Sequence, residues 1–429
     1  MKDRRFSRGI AVAAAAALAL GVTIAGAPAQ AATTITWLTD SGANNLARVN
    51  SVIKAFQAKN PTIKVKVVTR PGGSTGDNLV KTKLATGTMS DVFDYNSGAL
   101  VSALNPARTM LDVSKEAFWN NVYPSFKPAV TVAGKQYGAP FGTAGGGALY
   151  YNTKVLAAAG VTSVPKTWND FIAASQKIKA TGVDAICGSF ADSWSAQLLV
   201  LADYFNVQAG VKNFAADYSA NKAKFAYVPQ ALASFTKMEQ TFALGLYNKN
   251  AATTKYSEIG KLIGSGKCGF YPMGTWFTQD IPAENANEVG LMNLPGTSAK
   301  SNGLTVWMPS ALYIAKSSKN AAAAKKLQAF VVTKAGTDAW VKGDVYSGPF
   351  MTKDQSAAPA SVPLATKNLA TLMKGASSPA LEYISPIKGP HLDSICVQVL
   401  TGQVSAKEGA ALYDKDVAAQ AQQLGIKGW

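Results

Sequence analysis

The order of apolar and polar positions near the start of the chain is typical of strands that alternate with helices. A β-rich run, TITWLTD (34–40), precedes a segment (45–59) whose apolar residues recur at helical spacing. The runs IKVKVV (63–68) and DVFDY (91–95) predict two further strands, and the segment between them (77–86) predicts a helix. This β-α-β-α-β order predicts an α/β fold with a mostly parallel sheet and helices on its faces.

A second α/β block follows a cluster of glycines. Gly145–Gly147 separates two strand-like runs, which predicts a crossover or hinge at the glycines. Beyond them, apolar spacing predicts helices at 168–179, 194–205, 228–245, 255–263 and 319–332, strands at 183–187, 268–271 and 307–314, and terminal helices at 394–400 and 406–424.

The first residues have the features of a secretory signal. Four basic residues within 2–8 precede an apolar run (10–27) and the small-residue site Ala29-Gln30-Ala31. We therefore interpret 1–31 as a signal peptide; an uncleaved anchor and twin-arginine export remain alternatives. No cysteine precedes Cys187, so we expect an exported protein with no lipid-attachment cysteine.

Composition permits two domains and narrows the classes of partner. The 429 residues are 48% hydrophobic and 16% charged, with a formal net charge of +17. Without 1–31 the chain keeps 38 basic and 24 acidic residues, or +14. That excess suits anionic ligands, wall polymers or membrane surfaces, or it is scattered and only favours solubility. No basic run with interleaved aromatics occurs, which argues against nucleic acid.

Cysteine and histidine usage limits metal chemistry. The three cysteines, Cys187, Cys268 and Cys396, are too widely spaced for a zinc knuckle. Outside the cytosol a pair is expected to be bridged, and we favour Cys187 with Cys268 because both lie in strand-like runs. The single histidine, His391, excludes His-paired zinc motifs. We predict no metal and no cofactor.

One motif offers an enzymatic alternative. GGSTG (72–76) matches G-x-S-x-G between a strand-like and a helix-like run, and Ser74 with His391 follows the chain order of a hydrolase triad. Against this, an Arg-Pro pair separates the strand from the serine. A Gly/Ser-rich loop with Asp77 near a helix start explains the same residues.

Polar or aromatic residues recur where predicted strands end. In open α/β sheets ligands bind outside the carboxyl ends of strands. Aromatic faces suit the C–H face of a sugar, and carboxylates and amides suit its hydroxyls, although core packing explains any single residue. The residues are Thr39-Asp40, Tyr95-Asn96, Phe190, Trp194, and Trp276 after a predicted turn at Pro272–Gly274.

The ordered motifs resemble the extracellular solute-binding proteins of ABC importers, in the sugar-binding group that includes maltose-binding protein. The first lobe is represented by ITWLTD, VIKAFQAKNPTIKVKV and KLATGTMSDVFDYNSGAL, where Ser90 replaces the usual proline. The remainder is represented by YGAPFGTAGGGALYYNTKVLAAAGV, PKTWNDFIAASQKIK, GSGKCGFYPMGTW and VLTGQVSAKEGAALYD.

The resemblance implies a two-lobed, periplasmic-binding-protein-like (type II) fold with hinge crossovers. The N-terminal lobe would comprise 32–141 and 312–343, and the C-terminal lobe 142–311 and 344–429. It implies a monomeric, non-enzymatic, periplasmic or extracellular protein. Such a protein binds a carbohydrate, expected to be an oligosaccharide, between its lobes and delivers it to the transmembrane subunits of an ABC permease.

The resemblance also carries over candidate ligand-binding residues. Packing roles for Trp276, Trp194 and His391 remain alternatives. The first-lobe and crossover candidates are Thr39, Asp40, Arg70, Tyr95, Asn96, Ser97, Gly142 and Thr143; the others are Phe190, Trp194, Trp276, Trp307 and His391.

Overall fold

The computed structural model describes residues 32–429, so the predicted signal peptide lies outside the described residues. The strands are β1 (Thr33–Asp40), β2 (Ile63–Arg70), β3 (Val92–Tyr95), β4 (Thr131–Val132), β5 (Lys135–Gln136), β6 (Gly138–Pro140), β7 (Gly145–Asn152), β8 (Asp184–Ile186), β9 (Cys268–Gly274), β10 (Val289–Met292), β11 (Leu304–Trp307), β12 (Ala311–Ile314) and β13 (Ser377–Pro379).

The helices surround two separate sheets. They are α1 (Ala43–Lys59), α2 (Gly73–Ala85), α3 (Ala99–Ser102), α4 (Pro106–Thr109), α5 (Thr153–Ala158), α6 (Trp168–Ala180), α7 (Leu198–Ala202), α8 (Tyr204–Gly210), α9 (Phe214–Ser219), α10 (Pro229–Ala243), α11 (Tyr256–Gly264), α12 (Ala321–Val331), α13 (Lys334–Gly343), α14 (Leu364–Leu372), α15 (Leu381–Ile384), α16 (Leu392–Leu400) and α17 (Ala406–Gln423). Within 32–429, no helix combines the length and apolar character that a membrane crossing requires.

The first lobe is built on a five-stranded sheet in the order β2-β1-β3-β12-β6. β1 is parallel to both β2 and β3, as the β-α-β-α-β pattern predicted, and β12 is antiparallel to β3 and β6. In the register of β1 with β2, Asp40 lies opposite Arg70. The carboxyl ends of these parallel strands therefore open at one edge of the sheet. The buried face of α1, which includes Val49, Val52 and Phe56, packs in this lobe's core.

The second lobe is built on a sheet in the order β13-β11-β7-β9-β8, with β10 also paired to β7. β7 is buried along its whole length. The crossover or hinge predicted at Gly145–Gly147 is not found there, because these glycines begin the central strand β7. A Cβ on Gly145 would lie 1.8 Å from Thr275 Oγ1, and one on Gly147 would lie 2.6 Å from the Trp307 ring. Close packing on both sides therefore requires residues without side chains.

The chain crosses between the lobes at three places. Residues 141–144 join β6 to β7, and residues 308–310 join β11 to β12. The predicted single strand at 307–314 is therefore wrong: Pro309, which lacks an N–H, lies between two strands that belong to different sheets. The third crossing follows α13, where Thr143 forms an isolated antiparallel bridge with Phe350.

The segment after the third crossing departs from the expected division of the chain. Phe350 and Met351 are buried in the core of the first lobe, and Thr352 forms a bridge with Val122 of that lobe. The expectation that all of 344–429 belongs to the second lobe is therefore too simple for these residues. The other lobe boundaries remain a proposal.

A disulfide joins the second lobe's sheet at β8 and β9. It links Cys187 and Cys268, whose Cα atoms are 5.5 Å apart, which is the pairing favoured from the sequence. Cys396 is a buried free thiol in α16. β9 continues to Gly274, so the turn predicted at 272–274 is wrong. Pro272 fits within the strand because β8 pairs only as far as Phe270.

Two helix predictions change at their boundaries. The helix predicted at 77–86 begins four residues earlier, at Gly73, because the loop motif GGSTG forms its first turn. The segment 194–205 is not one helix but a 3-10 turn at Ser193–Ser195 followed by α7 and the start of α8. Both changes alter which residues face the opposite lobe.

Candidate functional site

Buried charges cluster at the carboxyl ends of β1, β2 and β3. Arg70, at the end of β2, is only 8% exposed. Its Nη1 lies 4.0 Å from Asp40 Oδ2, and its Nη2 lies 3.9 Å from Asp94 Oδ2. The indole Nε1 of Trp37 donates to Asp94 Oδ1 at 2.8 Å. The predicted residues Asp40 and Arg70 thus come together, and Asp94 is a carboxylate that was not predicted from the sequence.

Tyr95 extends this cluster to helix α2. Its phenol and the Asp77 carboxylate lie close enough for each to shift the pKa of the other. Burial raises the pKa of Asp77, against the opposing effect of the Arg70 guanidinium. Burial and the Asp77 charge also raise the pKa of Tyr95 above its ordinary value, so the phenol keeps its proton.

Three predicted first-lobe residues have structural partners. Thr39 is buried, and its Oγ1 accepts a hydrogen bond from Asn45 Nδ2 at 2.8 Å. Ser97 Oγ donates to the carbonyl oxygen of Pro309 at 2.8 Å, which ties β3 to the second crossing. The side chain of Asn96 is exposed, and its carbonyl oxygen accepts from the hydroxyl of Tyr313 at 3.0 Å.

Aromatic side chains line the facing surface of the second lobe. Trp194, in the 3-10 turn at 193–195, packs against Tyr256 with ring centroids 4.8 Å apart. Trp276 is half-buried in a second 3-10 turn, Thr275–Asp280, and its ring meets the Trp307 ring nearly edge to face at 6.1 Å. Trp307 Nε1 donates to Glu382 Oε1 at 2.7 Å. Trp276 and Trp307 are thus brought together, with Glu382 behind them.

The two lobes touch directly across this space. Ser74 Oγ of the first lobe donates to Asp393 Oδ2 at 3.0 Å, and Ser193 Oγ donates to the same oxygen at 2.7 Å. A Cβ on Gly73 would lie 2.7 Å from Trp194 Cδ1. The structure therefore shows the lobes in a closed arrangement, with Asp393 between them.

A second contact between the lobes starts on helix α1. Asn44 Nδ2 donates to Asp280 Oδ1 at 3.0 Å. Arg48 Nη1 donates to Gln279 Oε1 at 3.1 Å and to Asp344 Oδ2 at 2.5 Å. Burial raises the pKa values of both Asp280 and Asp344 above the ordinary range. These residues were not predicted from the sequence because no local pattern links 44–48 to partners more than 230 positions away.

The hydrolase geometry is not formed. The hydroxyl of Ser74 donates to Asp393, whereas His391 Nδ1 lies 2.6 Å from Asp416 Oδ1. A serine nucleophile needs its base within hydrogen-bond reach, and here the serine and the histidine have different carboxylate partners. The explanation of 72–76 as a glycine-rich helix start fits the structure better.

Four candidate residues lie apart from the facing aromatic and charged groups. Phe190 packs against Tyr247 at 5.3 Å in the second core. The side chain of His391 is 72% exposed beside Asp416. Gly142, with a φ of 124°, and Thr143, whose Oγ1 lies 2.9 Å from Ser347 Oγ, form the first crossing. Gly142 and Thr143 suit a hinge more than a ligand contact.

No group of three or more metal-binding side chains occurs in the described part, residues 32–429. The groups at the lobe interface include aromatic rings, carboxylates and hydroxyls. Such an arrangement can hold a polar ligand with apolar faces and exclude water from it.

Comparison with known proteins identifies a family. The model of a family described as bacterial extracellular solute-binding protein matches residues 40–338. An uncharacterized ABC transporter extracellular-binding protein of Pyrococcus horikoshii is 26% identical over 285 residues, which cover 66% of this chain and 64% of the relative. The multiple sugar-binding protein of Streptococcus mutans is 24% identical over 298 residues, 67% of this chain and 68% of that protein.

A solved structure shows the same fold. A chitin oligosaccharide binding protein superposes with a TM-score of 0.78 at 21% identity, covering 91% of this chain and 99% of that one. The predicted two-lobed, type II fold is thereby confirmed, as is the resemblance from which it was inferred. The chain spans about two thirds of the length of the two curated relatives named above.

Proposed function

Because the chain belongs to the bacterial extracellular solute-binding protein family, we propose that it is the exported substrate-binding component of an ABC importer. It binds a carbohydrate, in particular an oligosaccharide, between its lobes and delivers it to a membrane permease. One observation carries the proposal: the charged strand ends around Arg70 face the tryptophan-bearing turns of the second lobe, and the lobes meet between them. The names of the relatives, a multiple sugar-binding protein and a chitin oligosaccharide binding protein, support the ligand class.

Both lobes offer side chains that suit a saccharide. Its hydroxyls donate to carboxylates such as Asp40 and Asp393, and its C–H faces pack on indole rings. We propose Trp276 as the principal platform, because its ring is half-buried and the Trp307 ring supports it edge to face. Trp194 would form a second platform beside the first turn of α2.

The proposed action is binding and release without covalent chemistry. Ligand contacts with both lobes stabilise the closed arrangement, and bending at the crossings, with Gly142 in the first, allows opening. The protein acts as a monomer, and the permease receives the closed form. The remaining candidates from the sequence, including Thr39, Asn96 and Ser97, would shape this site through backbone position.

A carbohydrate panel tests the proposal. Thermal unfolding is measured with neutral oligosaccharide pools (cello-, malto-, xylo- and chito-oligosaccharides), because a ligand that binds only the folded state raises the melting temperature. We then expect Trp276→Ala to weaken the binding of the active pool by tenfold or more in calorimetry. Trp429→Ala is the matched control, because Trp429 packs against the second core and its Nε1 donates to the carbonyl oxygen of Ser219.

Two results would overturn the proposal. Absence of any thermal shift across all carbohydrate pools would remove the ligand class. Equal affinity of Trp276→Ala and Trp429→Ala would remove Trp276 as the platform while leaving the ligand class intact.

A further inference from the structure

The basic side chains at the lobe interface are already matched by carboxylates. Arg70 lies between Asp40 and Asp94, at 4.0 Å and 3.9 Å. The Nζ of Lys388 lies 3.2 Å from Glu382 Oε2, and both side chains are about nine-tenths buried. An acidic group on a ligand would share these cations with the carboxylates already beside them, and the like charges would repel each other.

Arg48 is engaged in the same way. Its guanidinium bonds Asp344 and lies 4.1 Å from the centroid of the Trp340 ring, so its planar face is covered as well. Lys81 acts electrostatically on Asp77, but its side chain is exposed on α2. The described interface thus offers an acidic ligand no buried cation that lacks a carboxylate partner.

Two carboxylates at the interface, one buried and one partly buried, accept hydrogen bonds from uncharged donors. Asp393, 8% exposed, accepts hydrogen bonds from the hydroxyls of Ser74 and Ser193. Asp280 accepts from the Tyr256 hydroxyl at 2.5 Å and from the amide of Asn44. Hydroxyl and amide donors satisfy an oxygen without cancelling its charge. Burial raises the pKa of Asp280 and the Asp344 charge adds to this effect, although its hydrogen bonds and the Arg48 charge oppose it.

The interface therefore has the opposite sign to the rest of the chain. Around it are four cations, the paired Arg48, Arg70 and Lys388 and the exposed Lys81, and seven carboxylates, those of Asp40, Asp77, Asp94, Asp280, Asp344, Glu382 and Asp393. Outside the predicted signal the sequence carries a net charge of +14. The basic excess must then lie on other surfaces, and it does not describe what the ligand meets in the cleft.

We propose that the cleft selects saccharides without acidic groups: neutral and amino sugars enter, and uronic acids and sugar phosphates are rejected. This inference rests on the proposed function. Closure would bring a ligand carboxylate or phosphate next to Asp393 and Asp280 with little water between the charges. A protonated amine on a glucosamine unit would instead supply the positive charge that these carboxylates lack.

Charge-matched pools test the selection. Thermal unfolding and calorimetry at low salt compare neutral cello- and chito-oligosaccharides with cationic chitosan oligosaccharides and anionic oligogalacturonates. We expect shifts from neutral or cationic pools and none from oligogalacturonates. A shift with oligogalacturonates overturns the selection and leaves carbohydrate binding intact, whereas no shift with any pool overturns the proposed function itself.

Asp393 gives the residue-level test. Removing one charge close to the ligand should reduce the discrimination against oligogalacturonates, relative to the neutral pool, by about tenfold. Asp393→Asn is compared with Ser74→Ala, which removes one of the same hydrogen bonds but keeps the charge. The discrimination between the neutral pool and oligogalacturonates should fall only in Asp393→Asn, whether or not the absolute affinity of either variant changes. An unchanged ratio in Asp393→Asn would contradict the role assigned to its charge.

Discussion

A methyl group added at Gly73 should hinder closure of the lobes, whereas its effect on the stability of the fold should match that of a methyl group added at Gly87. Its φ is +64°, and a Cβ there would lie 2.7 Å from Trp194 Cδ1 on the other lobe. Gly87 follows the same helix with a φ of +69°, and a Cβ there would have no other atom within 4 Å. Gly73→Ala and Gly87→Ala therefore share the backbone cost, about 1–2 kcal/mol for an alanine in the left-handed region. Only Gly73→Ala adds a clash, and only in the closed arrangement.

The size of that clash sets the expected loss of affinity. A separation of 2.7 Å is below the 3.0 Å that real Cβ contacts respect, so Trp194 or helix α2 has to move. Overpacking of this kind costs about 1–3 kcal/mol. If ligand binding requires closure, the affinity for saccharide falls by the same free energy, about 5- to 150-fold.

Three measurements separate the two effects. Urea unfolding should show similar losses of stability in Gly73→Ala and Gly87→Ala. Calorimetry with the active saccharide pool should show weakened binding in Gly73→Ala alone, and small-angle scattering should show a larger radius of gyration for that variant. If the two variants bind equally well, the contact between Gly73 and Trp194 does not govern closure, and the reasoning fails.

Two further predictions concern stability. The disulfide closes a loop with a sequence separation of 81 residues, so the double variant Cys187→Ala/Cys268→Ala should lose about 4.5 kcal/mol of unfolding free energy in urea. A reductant should reproduce this loss in the wild type and leave the double variant unchanged. Equal urea midpoints for the wild type and the double variant would contradict the loop-entropy argument. Burial acts to raise the pKa of Asp91, but hydrogen bonds from Ser318 and Thr36 lower it below 3.8. The native carboxylate thus contributes stability above pH 3.8 that is lost as pH falls through the lowered pKa. Asp91→Asn should cost about 1–3 kcal/mol at pH 7 and progressively less toward pH 3 by thermal unfolding, and a gap independent of pH would refute this.

Local periodicity was sufficient for most of the fold. The β-rich composition of TITWLTD predicted β1, and the spacing of Val49, Val52 and Phe56 predicted α1 because it marks the buried face of the helix. The same logic failed at 307–314, where one apolar run contains two strands in different sheets. Only Pro309 signals the break, and a proline also occurs inside β9 without ending it.

Only the candidate residues at the ends of predicted strands follow from local sequence rules. Asp40 and Tyr95 follow from the rule that ligands bind at the carboxyl ends of parallel strands, whereas Arg70 came from the family resemblance. Asp393 and Asp280 could not be found in this way, because their role depends on contacts made across the lobes by residues far apart in sequence. His391 came from the family resemblance; its side chain is exposed beside Asp416, and its role in ligand binding stays a prediction.

The position of β12 constrains the order in which the chain can fold. β12 lies between β3 and β6 in the first sheet, yet its residues come after strands β7 to β11 of the second sheet in the sequence. Until Ala311–Ile314 is available, β6 has no partner connecting it to β3, and the first lobe lacks a continuous sheet. The first sheet of a chain emerging from the ribosome therefore stays incomplete until this later strand has been synthesised.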